Sequence, residues 1–118
     1  MTITEFLLAR IAEDEATARE ASTYEGMTWF ADSVGHDHGG SRPFGRHVER
    51  FDPERVLAEC EAKRRIVARA EFIDTMRDDS GSFTIADLEY DEHILPALAS
   101  VYGDHPDYRE MWLLGFSD

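Results

Sequence analysis

Hydrophobic positions recur at threes and fours over two long stretches of the chain, each opened by residues suited to start a helix. From Asp52 to Asp74, DPERVLAECEAKRRIVARAEFID, an apolar stripe runs through Val56, Cys60, Val67 and Ala70 with Leu57, Ile66 and Ile73 beside it. Asp52 has the side chain of a good N-cap. Pro53 suits the first helical position, where a missing N–H leaves nothing unpaired. This is the longest predicted helix and the central one. At the N-terminus, Thr2 and Glu5 have the T-x-x-E form of a capping box and predict a helix from about Ile3 to Ser22. Its face is Ile3, Leu7, Ile11, Ala18 and Ala21, with Phe6 and Leu8 to either side. Charge interrupts each stripe halfway: Asp14 between Glu13 and Glu15 in the first, Lys63 with Arg64 in the second. Antiparallel packing brings these levels together, with Ile11 and Ala18 against Val67 and Cys60 on either side. Asp14, Glu15, Lys63 and Arg64 are therefore expected to form an ion-pair layer that sets helix register. The functional alternative is a polar pocket containing a carboxylate perturbed by its cationic neighbours.

Between these helices the pattern shortens. MTWFADSV and FGRHVERF show partial period-two alternation around a turn-rich GHDHGGSRP, which predicts a small β-hairpin-like insertion over Met27 to Phe51, with Trp29 and Phe51 lying on the helices. After Asp74, TMRDDSGS is a turn signal. FTIADLEY reads either as a strand or as a helix begun by Thr84 with Asp87 three residues on. A helix from about Asp91 to Tyr102 follows, with Ile94, Leu95, Leu98 and Val101 on one face, Pro96 in its first turn and Gly103 as its C-cap. His105-Pro106 breaks the chain, and DYREMWLLGF forms a short helix or tail that folds Tyr108, Trp112, Leu113 and Phe116 back on the core. The expected architecture is one domain, residues 1–118, mainly α: an antiparallel helical pair plus a C-terminal helix, with the hairpin-like insertion between.

Composition narrows the class. Hydrophobic residues at 42% with 31% charged describe a soluble globular chain. No apolar run approaches the roughly 20 residues of a membrane span, and the start lacks a basic signal region, so a cytoplasmic location is expected. Cys60, the single cysteine, makes no internal disulfide and falls on the apolar stripe as a small buried hydrophobe. A formal charge of −13, from 25 acidic against 12 basic residues, repels phosphate backbones at long range, so no direct nucleic-acid binding is expected. Excess acid is either a solubility surface or one that competes for a basic protein partner.

Candidate chemistry is sparse. His36 and His38 around Asp37, with His47 across the hairpin, offer ligands to zinc or nickel, but a glycine-rich tip is poorly preorganised and a solvated loop is the plainer reading. His93 and His105 read as turn or core histidines. Glu71 and Asp74 give one E-x-x-D, but the only E-x-x-E, Glu89 and Glu92, follows it, the reverse of the order used by magnesium-dependent nucleotide pyrophosphatases. Glu61-Ala62-Lys63 has the E-x-K form of some nucleases, yet sits in a helix rather than alternating on a strand. Cys60 has no placed base, and no glycine-rich phosphate loop follows a strand. No catalytic group and no cofactor are expected.

Three stretches in order, FLLARIAEDEATA, DPERVLAECEAKRRIV and LASVYGDHPDYREMW, resemble a family of small proteins from actinobacteria and their phages catalogued only as a domain of unknown function. The resemblance implies a bacterial or phage origin. It also implies that Asp14, Glu15, Lys63, Arg64, His105, Pro106, Tyr108 and Trp112 belong to a recurring pattern, and it brings no reaction with it. The expected function is interaction: an acidic adaptor or inhibitor of a bacterial or host protein, with Trp29, Phe44 and Trp112 as candidate anchors. The alternative is a metal-dependent hydrolase of a small phosphorylated substrate using Asp14, Glu15, Glu71 or Asp74. Closure of a homodimer over the apolar stripe stays open.

Overall fold

The structure, a computed structural model, describes residues 1–30, 42–76 and 84–115. Its elements are α1 (Ile3–Glu25), α2 (Arg42–Arg50), α3 (Pro53–Asp74), α4 (Ile85–Glu89), a π-helical turn (Tyr90–Ile94), α5 (Leu95–Ser100) and a 3-10 turn (Glu110–Leu114). The fold is mainly helical, and among the described residues there is no strand. The hairpin-like insertion is thereby corrected, since FGRHVERF lies in and just after α2. Phe44, His47, Val48 and Phe51 stand at i, i+3, i+4 and i+7, which is helical spacing. Pro43 adds a φ suited to a first turn, and Gly45, which weakens a strand, is the one residue α2 buries. The turn-rich tip with His36, Asp37 and His38 lies outside the described residues.

Contacts divide the chain into two units, Met1–Ile11 with Lys63–Asp118, and Ala12–Ala62. In the first, α1 starts with the expected capping box. The Thr2 N–H donates to Glu5 Oε1 at 3.2 Å and the Glu5 N–H donates to Thr2 Oγ1 at 3.1 Å, satisfying two donors that the helix cannot. The core of this unit is Ile3, Phe6, Leu7 and Ile11 from α1, Val67, Ala70 and Ile73 from α3, Leu95 and Ala99 from α5, and Trp112. Complete burial of Phe6, Leu7 and Trp112 contributes about 1.5–3 kcal/mol for each of the smaller two and more for the indole.

Of the two readings open for FTIADLEY, the helix is the one observed. Thr84 and Asp87 form a second capping box at the start of α4, which is why Asp87 is buried without a cationic partner having to be invoked. The helix then widens: the Leu95 N–H donates to Tyr90 O, a five-residue step in place of four. Pro96 accounts for this. In an unbroken α-helix its ring meets the carbonyl four residues back, and the inserted residue moves that carbonyl aside. Pro96 therefore sits after a π-turn in a helix begun earlier, at Ile85, than the expected Asp91. The expected Gly103 C-cap is also corrected. The chain leaves α5 through tight turns, Tyr102 N–H to Ala99 O at 2.9 Å and Gly103 N–H to Ser100 O at 3.1 Å, while positive φ among the described residues occurs at Gly26 and Gly115. Gly115, at φ 86°, ends the 3-10 turn, which packs on α5.

In the second unit, α1 runs three residues past the expected Ser22 to Glu25, and Gly26 at φ 82° ends it as a left-handed cap. A strap from Gly26 to Trp29 then binds the start of α3. Asp52 caps α3 by accepting the Arg55 N–H on Oδ1 at 3.0 Å, and its Oδ2 accepts the Trp29 N–H at 3.2 Å. The Glu54 N–H donates to Met27 O at 3.0 Å, and Thr28 Oγ1 donates to Glu54 Oε2 at 2.9 Å. Asp52 and Pro53 are buried at this junction, and Ala18 and Cys60 are buried in the same unit. No helix among the described residues is long and apolar enough to cross a membrane.

Candidate functional site

In the second unit, α2 is nine residues long and Gly45 is its only buried residue. An isolated helix of that length is marginal in water, so most helices this short owe their stability to a packed face. Here the long side chains face outward instead. Arg42, Arg46 and Arg50 stand at four-residue steps and are all exposed. Beside them Phe44, His47 and Phe51 form a second row; Phe44 is 47% exposed and Phe51 42%. The His47 and Phe51 rings lie 4.8 Å apart, and the Arg55 guanidinium covers the Phe51 ring at 4.8 Å while its Nε donates to Glu59 Oε1 at 3.0 Å. The result is an exposed helix with a cationic row on one side and an aromatic row on another, nearest each other at Arg50 and His47.

The first unit holds a different constellation. Arg10 occupies a core-facing position of α1 and is buried. Its Nη1 donates to His105 Nδ1 at 2.8 Å and also lies against Nε2, and its guanidinium stands over the Phe6 ring, 5.2 Å from the centroid. His105 Nδ1 accepts the Asp107 N–H as well, at 3.0 Å. An Asp107 carboxylate oxygen stands 4.0 Å from Arg10 Nη1, its side chain largely exposed. Around Phe6 gather Tyr102, His105, Tyr108 and Trp112, with ring centroids 5.0–6.2 Å away. The Tyr108 hydroxyl and the Trp112 indole N–H are buried with no hydrogen-bond partner among the described residues. This is a packed node that pins the segment from Tyr102 to Trp112 onto the start of α1.

The residues expected to carry a site are distributed as follows. Asp14 and Glu15 fall in the second unit, Lys63 and Arg64 in the first, and all four are half-buried. Lys63 directs its Nζ to the Tyr102 hydroxyl at 3.3 Å and stands 5.4 Å from the centre of that ring, so an aromatic side chain supplies part of its environment. Asp14, Glu15 and Arg64 each have polar or electrostatic partners. His47 lies on exposed α2 rather than on a hairpin strand, and His36 and His38 lie outside the described residues. Among the described residues no three His, Cys, Asp or Glu side chains converge as a metal-ligand set. Trp29 is half-buried, its indole N–H donating to Gly26 O at 2.9 Å. Trp112 is fully buried and belongs to the core, whereas Phe44 is exposed as an anchor must be. Glu71 and Asp74 are exposed on α3.

Four residues, Arg10 and the three arginines of α2, were not evident as candidates from the sequence. Arg10 stands at a position the Ile3, Leu7, Ile11 stripe requires to be buried, a signal that was present. The arginines of α2 were hidden by the strand assignment. No curated protein and no solved structure matches the chain. The chain belongs to the family of unknown function DUF6221, which matches residues 1–114.

Proposed function

We propose that the protein is an interaction module, an adaptor or inhibitor that engages a protein partner through the exposed surface of α2. The observation that carries this reading is that α2 buries a single glycine while presenting two partly exposed phenylalanines and three arginines. Aromatic and arginine side chains dominate the energetics of protein interfaces, because they combine a large apolar surface with directional hydrogen bonding. The strap and Asp52 hold the start of α3 rigidly, so the chain leaving α2 is anchored close to the proposed surface. Binding rather than turnover is the function such a surface performs.

The test is recovery of a stoichiometric partner from a bacterial lysate with the wild-type chain, with a Phe44→Ser/Phe51→Ser variant, and with Arg19→Ala on exposed α1 as control. The reading expects the partner to be lost from the double variant and kept by the control. A partner retained equally by all three proteins refutes α2 as the surface.

A further inference from the structure

We infer that the α2 surface accepts an acidic amphipathic helix of a partner protein; this rests on reading α2 as the docking surface. Residues 42–50 hold three arginines against one carboxylate, Glu49, in a chain whose formal charge is −13. A helix of the opposite sign to its own protein is the feature to be explained. None of the three guanidiniums forms a hydrogen bond or ion pair with a described residue, although one turn beyond α2 Arg55 is paired with Glu59. Among the described residues, the acidic side chains therefore leave this row unneutralised.

Spacing identifies what would neutralise it. Steps of four residues at about 1.5 Å rise place successive guanidiniums about 6 Å apart along the helix. Carboxylates at i and i+4 on a partner helix have the same spacing, and each guanidinium offers a carboxylate two parallel N–H donors. The Phe44, His47, Phe51 row supplies the apolar seam that such a helix lays its own apolar stripe against, with the charge pairs along one side of it. Arginine beside an aromatic ring also suits single-stranded nucleic acid, where bases stack on ring faces. Here one face of Phe51 is covered by Arg55 and the His47 ring lies against the same side chain, which leaves little face for a base. The overall charge of −13 also repels a phosphate chain.

The test uses fluorescence anisotropy with three labelled probes. These are a synthetic helix of about three heptads with glutamate at every fourth position beside a leucine seam, the same helix with glutamine for glutamate, and an oligothymidylate of similar length. The glutamate helix is expected to bind, the glutamine helix about tenfold more weakly, and the oligonucleotide more weakly still. Arg42→Gln/Arg46→Gln/Arg50→Gln should weaken the glutamate helix by about tenfold while circular dichroism stays unchanged, since all three positions are exposed. Raising ionic strength from about 0.01 M to about 0.15 M, which shortens the screening length from roughly 30 Å to 8 Å, should erase much of that difference. Equal binding of the two helices, tighter binding of the oligonucleotide, an unaffected triple variant, or self-association of the chain with no binding of the glutamate helix each overturns the inference. If both helices bind equally and Phe44→Ser/Phe51→Ser abolishes both, the docking surface stands and only its preference for acid fails.

Discussion

Replacing His105 with alanine removes the imidazole on which Arg10 rests, and the cost follows from the geometry. Arg10 has a side chain only 8% exposed, and a hydrogen bond to a charged group in such a setting contributes about 1.5–3 kcal/mol. His105 also makes an edge contact with Phe6 at 5.7 Å, for which about 0.5–1.5 kcal/mol is typical. His105→Ala should therefore destabilise the chain by about 2–4 kcal/mol, a large share of the total for a domain this size. Arg10→Met replaces the buried cation with an apolar side chain of similar length, so that an imidazole acceptor is no longer required. In that background His105→Ala should lose only the ring contact, about 1 kcal/mol, leaving a coupling of about 1.5–3 kcal/mol between the two sites. Equilibrium urea denaturation followed by far-ultraviolet circular dichroism measures all four proteins, with stability read from the midpoints at constant slope. A His105→Ala cost that is the same in both backgrounds refutes the reasoning, because it would mean that the imidazole acts by packing alone.

Three further outcomes follow from the helix ends. Asp52→Ala removes acceptors from both the Arg55 and Trp29 N–H groups at a buried cap, so it should cost about 2 kcal/mol in urea denaturation, and Asp52→Asn distinctly less. Thr84→Ala breaks the α4 capping box around buried Asp87 and should cost about 1–2 kcal/mol, with loss of amide protection concentrated in residues 84–89. The Thr2 backbone N–H, and secondarily its hydroxyl, hold the exposed Glu5 carboxyl below the ordinary glutamate range. Its contribution is therefore present above the unfolded pKa and lost as pH falls through the lower folded value. A carbon-detected NMR titration should find Glu5 titrating below the ordinary glutamate range, and Thr2→Ala, which removes the hydroxyl but keeps the backbone N–H, should move it only part of the way back up.

The parts of the fold that were legible in advance are those set by neighbours in sequence. Thr2 with Glu5 and Asp52 with Pro53 each mark a helix start through bonds spanning three residues, and both are observed; Thr84 with Asp87 offers a third start beside a strand alternative, and the helix is the one formed. The apolar stripes of α1 and α3 named Ile3, Leu7, Ile11, Cys60, Val67 and Ala70, all of which are buried. The segment 44–51 is read as a strand from the sequence because short apolar runs fit period two and period 3.6 almost equally well. Gly45 is the one residue of α2 that is buried, and the helix places it there. The π-turn before Pro96 depends on how one ring and one carbonyl share space, which no periodicity reports. The Arg10–His105 contact joins residues 95 positions apart, so the arginine was visible as an anomaly in its stripe but its acceptor was not. The proposed surface depended on the correct element type, since three arginines at steps of four form one row only on a helix.

The most direct test of α2 as the docking element is photo-crosslinking in cells, with a photoreactive amino acid placed at Arg46 on α2 or at Thr17, an exposed position of α1. The account predicts a discrete adduct with one partner protein from position 46 and none from position 17. Adducts from position 17 in the absence of any from position 46 would contradict it.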